Sequence, residues 1–218
     1  MNYLLWQLID SGFPSGGFAH SSGLEANMHH GRAEGGDGVL AFARQTLSQA
    51  GRSAVPIVTA AYQNRDALAE LDRLSDVFLS NPVANRASRA QGRALLTSVS
   101  RSFPQTGLAG IEESLSNGGC GHYAPIFGAV FHALDVDLRD TQRAFLFMAV
   151  RGVSSAAVRL GLIGAYEAQS IQMDLASSID RTIDRCGSLQ PFDIAQTAPL
   201  LDLCHSTHDR LYSRLFQS

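Results

Sequence analysis

The sequence predicts an all-α protein, a single-domain bundle of about nine to eleven helices that covers residues 1–218. Apolar residues recur at steps of three and four along several segments, whereas no segment alternates between apolar and polar residues over a useful length. No hairpin dipeptide joins two strand-like runs. With 218 residues, of which 45% are hydrophobic, the chain is long enough to bury one sizeable core.

Short helices separated by glycine-rich breaks are predicted for the beginning of the chain. An apolar run ends before Gly12 and Pro14, which stop a helix, and a second run follows the break. The third run places its apolar residues on one helix face. These predicted helical runs are residues 3–9, 22–30 and 39–50.

The longer helices have recognisable ends. Asn81 followed by Pro82 is typical of an N-cap and a first helical turn. Asp140 is the predicted N-cap of the longest helix, which Gly161 and Gly164 bring to an end. The predicted segments are residues 80–103, 122–134, 140–164, 166–186 and 198–216.

The composition excludes several classes of enzyme and partner. All 17 basic residues are arginines, and a chain without lysine has no Walker A phosphate loop, no Schiff-base chemistry and no Ser-Lys nucleophile. The formal net charge is −3 and the arginines are scattered, so no nucleic-acid partner is expected. No spacing pairs a nucleophile with a base, and we therefore expect a protein that is not an enzyme.

Cysteine usage and hydropathy indicate a cytoplasmic protein. Cys120, Cys186 and Cys204 form neither a zinc pattern nor a disulfide framework, which favours a reducing compartment. No basic residue precedes the first apolar run, so no signal peptide is expected. The longest apolar block, residues 144–150, is too short to span a bilayer, and no membrane contact is expected.

The stretch GFPSGGFAHSSGLE, residues 12–25, leaves two interpretations open. It lacks the lysine and the preceding strand of a phosphate loop, and it contains no GxSxG nucleophile elbow. As a plain helix break, it contains Ser22 and Glu25 at the spacing of a capping box, in which Glu25 reaches back to the cap amide. As a recognition loop, it offers side chains such as Phe18 and His20, which are costly to expose without a partner.

The C-terminal segment also leaves alternatives open. Cys204 and His208 are spaced as one helical turn, and they are either weak candidates for a pair of metal ligands or packed positions on one apolar stripe. Two ligands alone are too few for a stable site, so no metal site is predicted. Arg210 and Arg214 either complement the helix dipole or anchor the carboxylates of a partner.

Five segments, in this order along the chain, resemble the urease accessory protein F (UreF) family. They are LLWQLIDSGFPSGGFAHSSGLE (4–25), RASRAQGRALL (86–96), HYAPIFGAVFHAL (122–134), RGVSSAAVRLGLIG (151–164) and APLLDLCHSTHDRLYSRLFQS (198–218). The resemblance covers nearly the whole chain. Two departures are visible: Ala165 stands where the family usually has a proline, and little sequence precedes the first motif.

The resemblance implies a non-catalytic, all-helical homodimer that acts in urease maturation. Members of the family bridge the nickel-carrying GTPase UreG and the urease-docking protein UreD, also called UreH. The assembly delivers nickel to apo-urease in a GTP-dependent way. The chain would thus have no cofactor of its own, because nickel and GTP act through its partners.

The resemblance also assigns residues to partners. In the opening segment (residues 10–25), the surface that faces the GTPase and the dimer partner would involve Asp10, Phe13, Pro14, Gly16, Gly17, His20, Gly23 and Glu25. In the C-terminal tail (residues 207–218), the surface for UreD would involve His208, Arg210, Tyr212, Arg214 and Phe216.

Two hypotheses of different classes follow. The leading one is a scaffold or regulator that bridges UreG and UreD. The alternative is a metallochaperone that binds nickel directly through Cys204 and His208. A third, a helical hydrolase, lacks any nucleophile–base spacing that would support it.

Overall fold

The structure, a computed structural model, describes residues 3–218 and is helical throughout, as the periodicity predicts. The described residues form eleven α-helices and no strand, which confirms the all-α prediction and its helix count. The helices are α1 (Tyr3–Ile9), α2 (Leu24–His29), α3 (Gly35–Ser53), α4 (Val55–Gln63), α5 (Leu68–Phe78), α6 (Pro82–Ser102), α7 (Ala109–Ser116), α8 (Tyr123–Ala133), α9 (Leu138–Arg159), α10 (Ala165–Cys186) and α11 (Pro199–Ser206). Short 3-10 turns lie at Gly17–Ala19, Arg65–Ala67, Pro191–Asp193 and His208–Arg210.

Of the two predicted N-caps, one is confirmed and the other is wrong. The side chain of Asn81 accepts hydrogen bonds from the first free amides of α6, with Pro82 in the first turn. Helix α9, in contrast, begins before Asp140, because the carboxylate of Asp137 caps it by accepting the amide of Arg139 at 2.8 Å. Asp140 lies in the first turn, where its negative charge favours the helix dipole.

The core is built around α8, which is buried along most of its length. Phe127 and Phe131 of α8 stack with their ring centroids 3.9 Å apart, and Phe145 of α9 packs edge-on against Phe127. Gly128 allows α8 to approach α4 closely, since a Cβ atom there would lie 2.2 Å from the carbonyl oxygen of Val58. Helices α4 and α6 flank α8, and α9 packs between α3 and α10.

The opening segment crosses the outside of α6 and α9. Ser98 of α6 donates a hydrogen bond of 2.7 Å to the carbonyl oxygen of Pro14. From α9, Arg159 donates to the carbonyl oxygen of Phe18, and Arg151 donates to that of Ile9, the residue just before the segment. The segment is thus tied to two long helices at several points.

Within residues 3–218, no helix combines the length and the apolar character that crossing a membrane requires.

Candidate partner-binding site

The opening segment and the C-terminal tail lie side by side, although almost two hundred residues separate them in the sequence. The amide of Ser21 donates to the carbonyl oxygen of Ser218 at 2.7 Å, and the amide of Gln217 donates to that of Ala19 at 2.9 Å. His20 Nδ1 lies 2.6 Å from Ser218 Oγ. The two segments to which the resemblance assigns different partners therefore form one joined unit.

Glu25 anchors the tail to this unit. Its side chain is buried, and its carboxylate accepts the amides of Leu215 at 2.6 Å and Phe216 at 3.1 Å. His208 Nε2 donates to the same carboxylate at 3.1 Å. A buried carboxylate is stable only when its acceptor sites are filled, and here the tail supplies all three donors.

Arg159 of α9 provides a second connection between the segments. The Cζ atom of its guanidinium lies 3.8 Å from the ring centroid of Phe18 and 4.2 Å from that of Phe216. A guanidinium over an aromatic face is attracted by the ring quadrupole, so one cation stabilises both rings. Phe216 is buried, whereas Phe18 is 73% exposed and is available to a partner.

Two glycines of the opening segment are needed for this packing. Gly16 and Gly23 both have left-handed backbone conformations, with φ of 79° and 85°. A Cβ atom at Gly16 would lie 2.9 Å from Cβ of Ala94, and one at Gly23 would lie 2.9 Å from Cβ of His205. Gly17 differs, since nothing lies within 4 Å of a Cβ atom placed there.

The predicted capping box is wrong. Helix α2 begins at Leu24 after Gly23, which makes no side-chain cap. The amide of Glu25 is instead reached by the hydroxyl of Ser21, at 3.4 Å, and the carboxylate of Glu25 turns away from the cap to bind the tail. The reason is tertiary, because two tail amides and an imidazole are stronger partners than one exposed cap amide.

The predicted helix over residues 198–216 is also too long. Helix α11 ends at Ser206, and a short 3-10 turn follows it, so the stripe that includes Cys204 and His208 is not a continuous helical face. Arg214 pairs with Asp209 at 3.0 Å and has no helix end to complement. The tail leaves the helical path because its amides bind Glu25 and the opening segment.

The predicted partner residues fall into three groups by exposure. Buried are His20, Gly23, Glu25, His208 and Phe216; partly buried are Phe13, Gly16 and Gly17; exposed are Asp10, Pro14, Arg210, Tyr212 and Arg214. The buried group holds the two segments together, and the exposed group is accessible to another protein.

Two cavities lie behind the opening segment. One has a volume of about 270 Å³ and the other about 550 Å³, and His20, Gln91 and Tyr123 line both. His205 also lines the smaller cavity, and its Nε2 atom is buried without a hydrogen-bond partner. Burial, together with the nearby His208 and His20, lowers the pKa of His205 to about 4.

Acidification is expected to destabilise the protein through His205. Because its pKa of about 4 in the folded state is below the unfolded value of about 6.5, the unfolded chain takes up the proton first as the pH falls. The stabilisation is complete above pH 6.5 and is lost as the pH falls to 4, at a total cost of about 3 kcal/mol. Denaturant unfolding of the wild type and a His205→Phe variant at several pH values measures this difference.

The control is His29→Gln, which alters an exposed histidine. It is expected to retain the wild-type pH dependence, whereas His205→Phe flattens it. An equally steep pH dependence in His205→Phe would rule out His205 as the source.

The described residues contain no group of three metal-binding side chains that includes Cys204 or His208, the two weak candidates for metal ligands. His208 Nε2 is bonded to Glu25. Among the described residues, one such group is formed by Asp76, Cys120 and His122. The sequence did not predict this group, although the spacing of Cys120 and His122, two residues apart, could have indicated a pair of metal ligands.

Comparison with known proteins identifies the family. The sequence model of the UreF family matches residues 34–176. Urease accessory protein F of Oryza sativa subsp. indica is 37% identical over 216 residues, which cover 97% of this chain and 83% of that protein. Urease accessory protein F of Arabidopsis thaliana is 34% identical over 223 residues, which cover 100% of this chain and 93% of that protein.

A bacterial relative gives the same result. Urease accessory protein UreF of Arthrobacter sp. (strain FB24) is 31% identical over 219 residues, which cover 98% of this chain and 96% of that protein. The match to the Arabidopsis protein extends over the whole chain, so it includes the opening segment and the C-terminal tail. The resemblance carried by the five sequence segments is confirmed, and the chain belongs to the UreF family of urease accessory proteins.

Proposed function

We propose that this chain is a non-catalytic scaffold of urease maturation. As a homodimer it bridges the GTPase UreG and UreD, also called UreH, so that nickel is inserted into apo-urease in a GTP-dependent step. Membership of the UreF family supports the role in maturation, since full-length relatives from plants and bacteria are named urease accessory proteins. The chain acts in the cytoplasm, and its effect on nickel and GTP is exerted through these partners.

The joining of the opening segment to the C-terminal tail is the observation that carries the bridging role. A partner that binds the opening segment contacts the same unit as a partner that binds the tail, because Glu25 and Arg159 connect the two. The two proposed partner surfaces are therefore adjacent and held together by this chain, as a bridging protein needs.

Exposed apolar side chains around this unit support a protein partner. Phe18 is 73% exposed, Tyr212 is fully exposed, and Leu200, Leu203 and Leu215 are each more than half exposed. Contiguous exposed apolar surface is typical of protein-interaction sites. Tyrosine and arginine are also the residue types that dominate binding energy at interfaces. Tyr212, Arg210 and Arg214 are thus the proposed contacts for UreD.

Replacing both Arg210 and Tyr212 by alanine is expected to weaken UreD binding at least tenfold. Both side chains are exposed, so the free energy of unfolding changes by only about 0.5 kcal/mol. Pull-down with purified UreD measures binding, and circular dichroism measures folding. The matched control is Arg65→Ala with Tyr166→Ala, two exposed side chains outside the site. Equal binding by both double variants would contradict the assignment.

The function itself is tested by urease activation. Apo-urease, UreD and UreG are co-expressed with and without this chain, and urease activity, nickel content and GTP hydrolysis are measured. We expect activity and nickel content to fall sharply when the chain is absent. Full activation without the chain would contradict the scaffold role.

A further inference from the structure

Asp76, Cys120 and His122 lie together at one end of α8, outside the partner-binding site. Their potential ligand atoms all lie within 4.8 Å of one another, and His122 Nε2 is 3.1 Å from Asp76 Oδ1. Asp76 belongs to α5, whereas Cys120 and His122 belong to the loop that precedes α8. The group therefore depends on the tertiary structure.

The loop that carries Cys120 and His122 is held rigidly. The carboxylate of Asp72 accepts the amides of Cys120 at 2.6 Å, Gly121 at 3.0 Å and His122 at 2.7 Å. Asp72 is itself buried. Gly92 of α6 lets the loop lie directly on the helix, since a Cβ atom there would be 2.2 Å from the carbonyl oxygen of Gly121. Both side chains are thus positioned before any ligand arrives.

Further hydrogen bonds orient the side chains of His122 and Asp76. His122 Nδ1 lies 3.1 Å from Ser88 Oγ, which leaves Nε2 pointing toward Asp76 and Cys120. Asn85 donates to Asp76 Oδ1 at 3.0 Å. A histidine whose second nitrogen is fixed by a hydrogen bond is the arrangement found in protein metal sites.

A cationic side chain already lies beside this group. The guanidinium of Arg89 donates to Cys120 Sγ at 3.7 Å and lies 3.9 Å from Asp76 Oδ1. The side chain of Arg89 is 42% exposed, and that of Asp76 is 40% exposed. The guanidinium of Arg89 can therefore move into solvent. An open cavity of about 740 Å³ on the Asp76 side of the group, lined also by Arg86 and Arg93, provides the space for that movement.

We propose that Asp76, Cys120 and His122 bind one divalent first-row transition cation, with Arg89 displaced from the group. A thiolate sulfur, an imidazole nitrogen and a carboxylate oxygen together suit the borderline cations Zn²⁺, Ni²⁺ and Co²⁺. The hard cations Mg²⁺ and Ca²⁺ prefer oxygen ligands alone and are excluded. Solvent completes the coordination on the exposed side of Asp76. This proposal is independent of the proposed scaffold role.

The test is a titration of the full chain with Co²⁺, read out by thiolate-to-metal charge transfer, and with Ni²⁺ and Zn²⁺, read out by calorimetry. We expect Cys120→Ser to abolish the charge-transfer band and to weaken binding at least tenfold, and Asp76→Asn to weaken it about as much. Cys186→Ser and Cys204→Ser are the matched controls, because each removes one of the other free thiols. Both should bind as the wild type does.

Two more measurements complete the test. Arg89→Met is expected to tighten binding about tenfold because it removes the competing cation, whereas Arg65→Met leaves it unchanged. Mg²⁺ is expected to give no signal. Wild-type binding by a folded Cys120→Ser variant would overturn the proposal, and so would a charge-transfer band that disappears in Cys204→Ser instead.

Discussion

Replacing Glu25 by glutamine is expected to lower the free energy of unfolding by about 3 kcal/mol. The side chain keeps its volume, but one of its two acceptor oxygens becomes a donor. Of the three groups that bind the carboxylate, namely the Leu215 and Phe216 amides and His208 Nε2, at least one then lacks an acceptor inside the protein. A hydrogen bond to a charged group contributes about 1.5–3 kcal/mol, and a buried donor left unpaired costs about 1–3 kcal/mol.

Denaturant unfolding measures this loss, and hydrogen exchange of the Leu215 and Phe216 amides locates it. Both amides are expected to exchange faster in Glu25→Gln, while amides in the core helix α8 keep their relative order of protection. The matched control is Glu113→Gln, which makes the same change at an exposed position and should alter stability by less than about 0.5 kcal/mol. Unchanged tail exchange in Glu25→Gln would show that the carboxylate does not hold the tail.

Replacing Gly128 by alanine is expected to cost about 3 kcal/mol or more. The new methyl group would lie 2.2 Å from the carbonyl oxygen of Val58 and 3.0 Å from the amide nitrogen of Tyr62. Both atoms belong to the backbone of α4, so the strain cannot be relieved by a side-chain rotation, and the two helices must move apart. Adding a methyl group to a well-packed core typically costs about 1–3 kcal/mol, and more where backbone must shift.

The matched control for this substitution is Gly152→Ala in α9. Nothing lies within 4 Å of a Cβ atom placed at Gly152, and its backbone is helical. Alanine is favoured over glycine inside a helix by about 0.5–1 kcal/mol, so this variant should be more stable than the wild type. Chemical denaturation of both variants gives opposite signs if the close contact between α4 and α8 is correct. A Gly128→Ala variant as stable as the wild type would disprove that contact.

The opening segment and the C-terminal tail were assigned to partners through the family resemblance, and the structure places the two side by side. Their roles within the site were not predictable, because Glu25 has a conventional capping spacing with Ser22 while its partners lie about 190 residues further along. Separation along the chain also hid the group formed by Asp76, Cys120 and His122, since Asp76 lies 46 residues before His122.

The sequence by itself determined the helical class, the beginning of α6 at Asn81 and Pro82, and the absence of lysine chemistry. These properties depend on composition and on interactions between residues within one turn of each other, which the order of residues contains. Only the tertiary structure decided that Glu25 binds the tail and that Arg159 lies between two phenylalanines. The physical reason is that buried polar groups take whichever partners the packing of distant segments supplies.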